Sequence, residues 1–144
     1  MNKREIVQTL MDSIQKGDFE NAGAMLANDF QFSGPVSEPI GKDTWLEMSV
    51  NLKAAFPDLD YHFKVIGANG DVVRSTTQMS GTHKGPLDLV IVNMGVVPVT
   101  NKHVSAKIAK TKVTVKEGKI TLWVAEPADD AGLAAILRQL RVGI

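Results

Sequence analysis

Gly81-Thr82-His83-Lys84-Gly85 is the stretch of this chain best equipped for chemistry. An imidazole titrates near neutrality and can accept or give a proton. His83 ends a strand-like run, and period-two alternation puts it on one face with Thr77 and Met79, an inward and partly apolar face. Two roles fit such a residue. It can face a ligand, or it can hydrogen-bond a neighbouring backbone carbonyl and close the rim of the sheet. A second candidate lies downstream. Alternation places Ser105, Lys107, Ala109, Thr111, Val113 and Val115 together, with Lys110, Lys112 and Lys116 on the opposite, wet face. A lysine on the inner face could bind an anion, or shed its charge and act as a base. A bulge near Ile108 would instead reverse the register and return Lys107 to water, and Ser105 would go with it.

Other chemistries are closed off. There is no cysteine, hence no disulfide, thiolate zinc site or thiol nucleophile. His62, His83 and His103 lack metal-ligand spacing, and no motif calls for a metal or a cofactor. Asp58, Asp60, Asp71, Glu117, Asp129 and Asp130 fall at expected turns or caps, where solvation or backbone hydrogen bonds account for them. Asp88 and Glu126 lie near the expected pocket mouth and read as solvated rim residues. Sixteen basic side chains balance sixteen acidic ones. Zero net charge speaks against nucleic acid or an anionic membrane as partner, and it permits self-association. The first residues lead into an amphipathic segment, and no apolar run is long enough to span a bilayer, so a cytoplasmic location is expected.

These residues need a scaffold. The 144 residues suit one domain over 1–144, long enough to bury a self-sufficient core. Ile6, Val7, Leu10, Met11 and Ile14 recur at helical spacing after Asn2, a plausible N-cap, and Gly17 closes the helix. Asp18 caps a second helix through Phe19, Ala22, Met25 and Leu26, and Asn28-Asp29 breaks it. Phe30 to Ser33 reads as a short strand ended by Gly34-Pro35. Asp43 caps a third helix carrying Trp45, Leu46, Met48, Leu52 and Phe56, and Pro57 stops it. The period then changes to two. Tyr61, Phe63 and Val65 point one way; Asn69-Gly70 turns the chain. Long strands follow from about Asp71 to His83, from about His103 to Lys116, and from Lys119 to Ala125, where Pro127 ends the ladder. A last helix from about Asp130 to Leu140 aligns Leu133, Ile136, Leu137 and Leu140. Helices first and antiparallel strands afterwards define an α+β class, with a bent sheet around packed helices and a pocket between the layers. The apolar run Leu87–Val99, interrupted by Asn93, Gly95 and Pro98, is either a pair of short strands packed on the core or a lid or dimer surface.

Phe56-Pro57-Asp58-Leu59, Gly81-Thr82-His83-Lys84-Gly85, Pro98-Val99-Thr100-Asn101-Lys102, Gly118-Lys119-Ile120, Gly132-Leu133 and Gln139-Leu140 occur in an order that resembles one family. It is the SnoaL-like polyketide cyclase and ester-cyclase group of the nuclear transport factor 2-like superfamily. Asn101 stands where the family turn has glycine, and asparagine tolerates the left-handed conformation. The resemblance implies a cone-shaped, cystatin-like fold: a curved antiparallel sheet against N-terminal helices, usually in a homodimer. It implies that His83 lines the pocket. It also puts the place of the family's catalytic acid near Ser105, a residue without a useful pKa for moving a proton off carbon. Leu122-Trp123 departs from a glutamate-containing pattern, and the segment between His83 and Lys102 is longer than in cyclases.

Two related chemistries do not match. A ketosteroid isomerase-like site needs a tyrosine beside an acid, whereas Asp60 and His62 alternate away from Tyr61. A limonene epoxide hydrolase-like site needs an arginine between two aspartates, whereas Arg74 precedes Ser75-Thr76-Thr77. Two functions stay open. One is binding of a small apolar organic molecule among Trp45, Tyr61, Phe63, Met79 and Val113, with Ser105 and Lys107 nearby and His83 as anchor or acid/base for proton transfer next to a carbonyl. The other is a non-catalytic homodimeric interaction domain.

Overall fold

The computed structural model describes residues 2–34, 38–92, 95–126 and 132–141. Helix α1 spans Lys3–Lys16. Asn2 caps it by accepting the Glu5 N–H at 2.9 Å, and Gly17 ends it at φ 82°, a left-handed C-cap. Its Ile6, Val7, Leu10, Met11 and Ile14 are all buried, as their spacing predicts. Helix α2, Phe19–Ala24, is capped by Asp18 and is shorter than expected. Met25 and Leu26 leave it because strand β1, Leu26–Ser33, begins there and takes in Asn28-Asp29. The cause is tertiary: β1 pairs in parallel with β10, Lys119–Ala125, and Met25 carbonyl accepts the Ile120 N–H. Long-range pairing overrides the local helical pattern at Met25 and Leu26.

Strand β2, Ile40–Gly41, runs antiparallel to β1 and leads into α3, Lys42–Ala55. Asp43 was expected at the cap; it sits in the first turn, and Gly41 occupies the N-cap without a side-chain bond. A carboxylate in the first turn still favours the helix dipole. Strands β3 (Lys64–Asn69) and β4 (Val72–Thr77) form a hairpin whose loop is Gly70-Asp71, one residue later than the Asn69-Gly70 expectation. Tyr61 and Phe63 precede β3 rather than lying in it, since His62 stands at φ 44°. Their alternate burial holds all the same.

Each of the two long strands expected between residues 71 and 116 is divided. The first becomes β4 and β5 (Ser80–Thr82). The second becomes β8 (His103–Ser105) and β9 (Ala109–Lys116). A curved six-stranded sheet runs β2-β1-β10-β9-β4-β3, antiparallel except for β1 beside β10. Strands β5 and β8 form a separate pair, and β6 (Leu87–Asp88) pairs with β7 (Val96–Val97). Between β6 and β7 lies a 3₁₀ turn at Val90–Val92. Helix α4, Gly132–Arg141, packs on β8 with Leu133, Ile136, Leu137 and Leu140 buried, the face its spacing predicts. The expected stops and caps at Pro35, Pro127, Asp129 and Asp130, and the interruption at Asn93, lie outside the described residues. The main core forms where α1 and α3 cover the inner face of the sheet, and α4 extends it over β8.

In the apolar run Leu87–Val99 the described residues form the expected pair of short strands, and some of its apolar side chains remain exposed. Leu87, Leu89 and Val97 are buried against the body, with β6 on α3, while Val90 and Val96 are 58% and 53% exposed.

Candidate functional site

The two glycines around His83 have a spatial reason. A side chain at Gly81 would put its Cβ 3.2 Å from Phe56 Cβ, and one at Gly85 would lie 3.0 Å from the Ala54 carbonyl oxygen. Both positions press against the C-terminal end of α3. The N–H groups of Lys84 and Gly85 donate to the Ala55 carbonyl at 2.9 and 3.1 Å. A helix leaves its last carbonyls without internal partners, and this loop supplies donors to one of them. Thr82 is tied to the helix-to-strand junction: Asp58 accepts its N–H at 2.7 Å and its hydroxyl at 2.9 Å. These bonds hold the Asp58 carboxyl below the usual carboxylate range, the Thr82 backbone bond being the largest cause.

His83 is thereby held inward. It has no solvent exposure, and its ring stacks on Phe56 at 5.2 Å. Its backbone exchanges bonds with the loop before β8, donating to Lys102 carbonyl and accepting from Asn101 N–H. Asn101 adopts φ 58°, the left-handed geometry the sequence anticipates there. Nδ1 of the ring lies 2.9 Å from Thr100 Oγ1 and accepts the Thr100 N–H at 3.2 Å. Nε2 is buried and makes no hydrogen bond of normal geometry among the described residues, although the Gly85 backbone lies near enough to the ring to favour its protonated form. Burial pushes the imidazole below its ordinary pKa, with a smaller opposing effect from the Gly85 backbone.

A second cluster gathers most of the nominated pocket residues. Trp45 packs on Phe30, Phe32 and Trp123 at 5.3, 6.2 and 5.8 Å, and Phe63 meets Trp123 at 5.9 Å. Val113 pairs directly with Trp123 across β9 and β10. Met79 is buried in the same core, and Tyr61 packs against it half-buried, its phenol pushed above the ordinary range by burial. Trp123 is the hub. The sequence displayed it only as a departure from a family pattern. Ser75 and Thr111 face each other across β4 and β9 as a buried hydroxyl pair, and Thr77 is buried on the same inward side.

Ser105 and Lys107 do not belong to this interior. Val104 and Ala106 are buried, then Lys107 and Ile108 are both exposed, and burial resumes at Ala109, Thr111, Val113 and Val115. Two successive exposed residues shift the alternation by one, so Ser105 and Lys107 face out while the rest of their expected row faces in. The reversal of register that would return Lys107 and Ser105 to water is the alternative observed, across the gap between β8 and β9. Ser105 is held by α4 instead: Gln139 donates to its carbonyl at 2.7 Å and accepts its N–H at 3.0 Å. Gln15 of α1 does the same for the segment before β3, bonding Leu59 carbonyl at 2.6 Å and Tyr61 N–H at 3.0 Å. Neither glutamine carries a periodicity signal. Thr100, also missed as a site residue, lies inside the recognised turn beside Asn101.

Among the described residues no aspartate or glutamate is buried, and no group of three metal-ligating side chains comes together. Asp88 and Glu126 are exposed, as rim residues should be. A cavity of about 600 Å³ lies at the start of α1, lined by Asn2, Arg4, Ile6, Ala68, Val115 and others, and it holds none of the nominated residues. No helix among the described residues is long and apolar enough to cross a membrane.

A family model described as SnoaL-like polyketide cyclase matches residues 4–140. Among curated proteins none matches. Among solved structures, the chain is similar to a SnoaL-like protein from Jannaschia sp. CCS1, with TM-score 0.75 and 19% identity, covering 99% of this chain and 93% of that one. It is similar also to a SnoaL-like polyketide cyclase from Agrobacterium tumefaciens, with TM-score 0.70 and 18% identity over 97% and 98% of the two chains. AclR from Streptomyces galilaeus superposes with TM-score 0.72 and 18% identity over 96% and 94%.

Proposed function

The chain belongs to the SnoaL-like polyketide cyclase family, and from that premise we propose that residues 1–144 form one unit that binds a small, mostly apolar organic molecule, with His83 as its polar anchor. The observation that carries this reading is the orphaned Nε2 of His83, buried beside Phe56. A buried polar atom without a partner costs roughly 1–3 kcal/mol, so its retention calls for a compensating role. Trp45, Phe63 and Trp123 supply apolar surface, and the Ser75–Thr111 pair supplies internal polarity.

Proton transfer next to a carbonyl is the reaction class proposed if the protein is catalytic. The position aligned with the family's acid is Ser105, which faces out, and the described interior holds no carboxylate. Binding with polarisation of a carbonyl therefore fits better than carboxylate-driven aldol cyclisation. The test is calorimetric titration of the wild type and His83→Ala with polycyclic aromatic ketones. A loss of tenfold or more in affinity is expected in the variant. Equal affinity in both proteins removes His83 from the site.

A second reading has its own observation. Val90, Ile91, Val96 and Val99 leave apolar side chains exposed on one connection, which suits a homodimer of a cytoplasmic protein. Light scattering that shows a monomer at high protein concentration counts against it.

A further inference from the structure

We infer that Thr100 fixes His83 as a neutral imidazole carrying its proton on Nε2, so that the site offers a hydrogen-bond donor to an acceptor oxygen on the ligand, a carbonyl or an enolate, and takes up no proton itself. This rests on the ligand-binding reading above and specifies the ligand class.

A backbone N–H can only donate. The Thr100 N–H points at Nδ1 from 3.2 Å, so Nδ1 must present its lone pair. The Thr100 hydroxyl accommodates the choice: its oxygen accepts the Lys102 N–H at 3.2 Å, and its own proton is free to turn toward Nδ1, 2.9 Å away. A neutral ring that accepts at one nitrogen carries its proton at the other. Nε2 is then an N–H donor, buried and without a partner among the described residues.

An imidazolium would be opposed twice. Its Nδ1 proton would meet the Thr100 N–H head on, and its charge would be buried against Phe56. The packed segments bring no compensating acid, and the Gly85 backbone favours the charged ring less than burial opposes it. The end of α3 contributes Ala55 and Phe56, the flanking residues are Lys84 and Lys102, and Asp58 is engaged with Thr82. The imidazole thus works as a fixed dipole aimed at developing negative charge, a role a neutral histidine can fill without exchanging protons. A base for any proton abstraction has to come from another group or from the ligand.

Long-range ¹H–¹⁵N correlation spectra of the ring in the full chain test the tautomer directly, free of any activity. The expected spectrum shows a bare Nδ1 and a protonated Nε2 that persist from pH 8 to pH 6. Thr100→Val should move the Nδ1 resonance, and Thr100→Ser should restore it. A protonated Nδ1, or an imidazolium at pH 7, overturns the inference, and the wild-type spectrum alone decides this even if a variant fails to fold. Titration with 9-fluorenone and fluorene, which share a skeleton and differ in the carbonyl, tests the ligand class. Fluorenone should bind at least tenfold more tightly, with the difference lost in His83→Ala. Equal binding of the two overturns the assigned ligand class. Binding of neither, with the ring in its expected tautomer, upholds the Thr100 assignment and sinks the binding reading on which the ligand class rests.

Discussion

The six-stranded sheet and the small β5–β8 pair are held by different forces. The large sheet buries alternate apolar residues from β9 and β10 under α1 and α3, with Trp123 between Trp45 and Phe63. The small pair buries little of its own. It is held from outside by polar tethers: Asp58 on Thr82, Gln139 on Ser105, and the Ala55 carbonyl receiving Lys84 and Gly85. Burial is non-directional and tolerates small shifts, whereas hydrogen bonds fix positions within fractions of an ångström. The candidate anchor His83 sits at the end of the tethered pair. Precision is concentrated there, and cohesion in the larger sheet.

The sharpest way to break this contrast is to attack each region by its own force. Trp123→Ala should cost about 3–5 kcal/mol, the usual range for deleting a buried large aromatic, and should appear as a lower midpoint in urea unfolding. If the loss is under about 1 kcal/mol, the aromatic hub is not the source of cohesion. Gly85→Ala should cost about 1–3 kcal/mol, because the new Cβ crowds the Ala54 carbonyl and pushes the loop off α3. That variant should also lose fluorenone affinity.

Gln139→Ala removes two bonds to β8 and should cost about 1–2 kcal/mol. Hydrogen exchange should speed up at Ser105 and at its partner Ser80 while amides of β9 and β10 stay protected. Uniform acceleration across both sheets would show that the pair is not a separate unit.

Two pH effects are smaller. His83 has a depressed pKa in the folded state, so the unfolded chain binds its proton first as pH falls. Its contribution is complete above about pH 6.5 and should decline as the solution is acidified below that value. His83→Phe should remove that slope from a series of thermal melts. Asp58 is likewise depressed, so its tether should persist at neutral pH and weaken below about pH 4, as the carboxyl protonates. Asp58→Asn should flatten stability over that acid range; an unchanged acid limb means the tether contributes nothing.

Much of the scaffold was legible because it depends on spacing within one segment. The buried faces of α1 and α4, the Asn2 and Gly17 caps, and the turn at Glu117-Gly118 all follow from local patterns. The site was legible in part. His83 faces inward with Met79 and Thr77, as alternation requires, since the interruption between β4 and β5 leaves their parity intact. Ser105 and Lys107 are exposed because the gap between β8 and β9 changes parity, the alternative that alternation left open, and a step of one residue leaves no trace in composition. Trp123 and Thr100 were visible as letters but not as contacts.

The amino-acid order by itself determined the helical character and greasy faces of α1 and α4, and that position 101 takes a residue tolerant of the left-handed region. Each of those properties is decided within a few residues of chain. Tertiary structure alone decided that β1 runs parallel to β10, that Gln15 and Gln139 complete strand edges, and that the Thr100 N–H meets Nδ1 of His83. These depend on distances between atoms far apart in sequence, which periodicity does not encode. The protonation of the one buried imidazole is settled by such a distance.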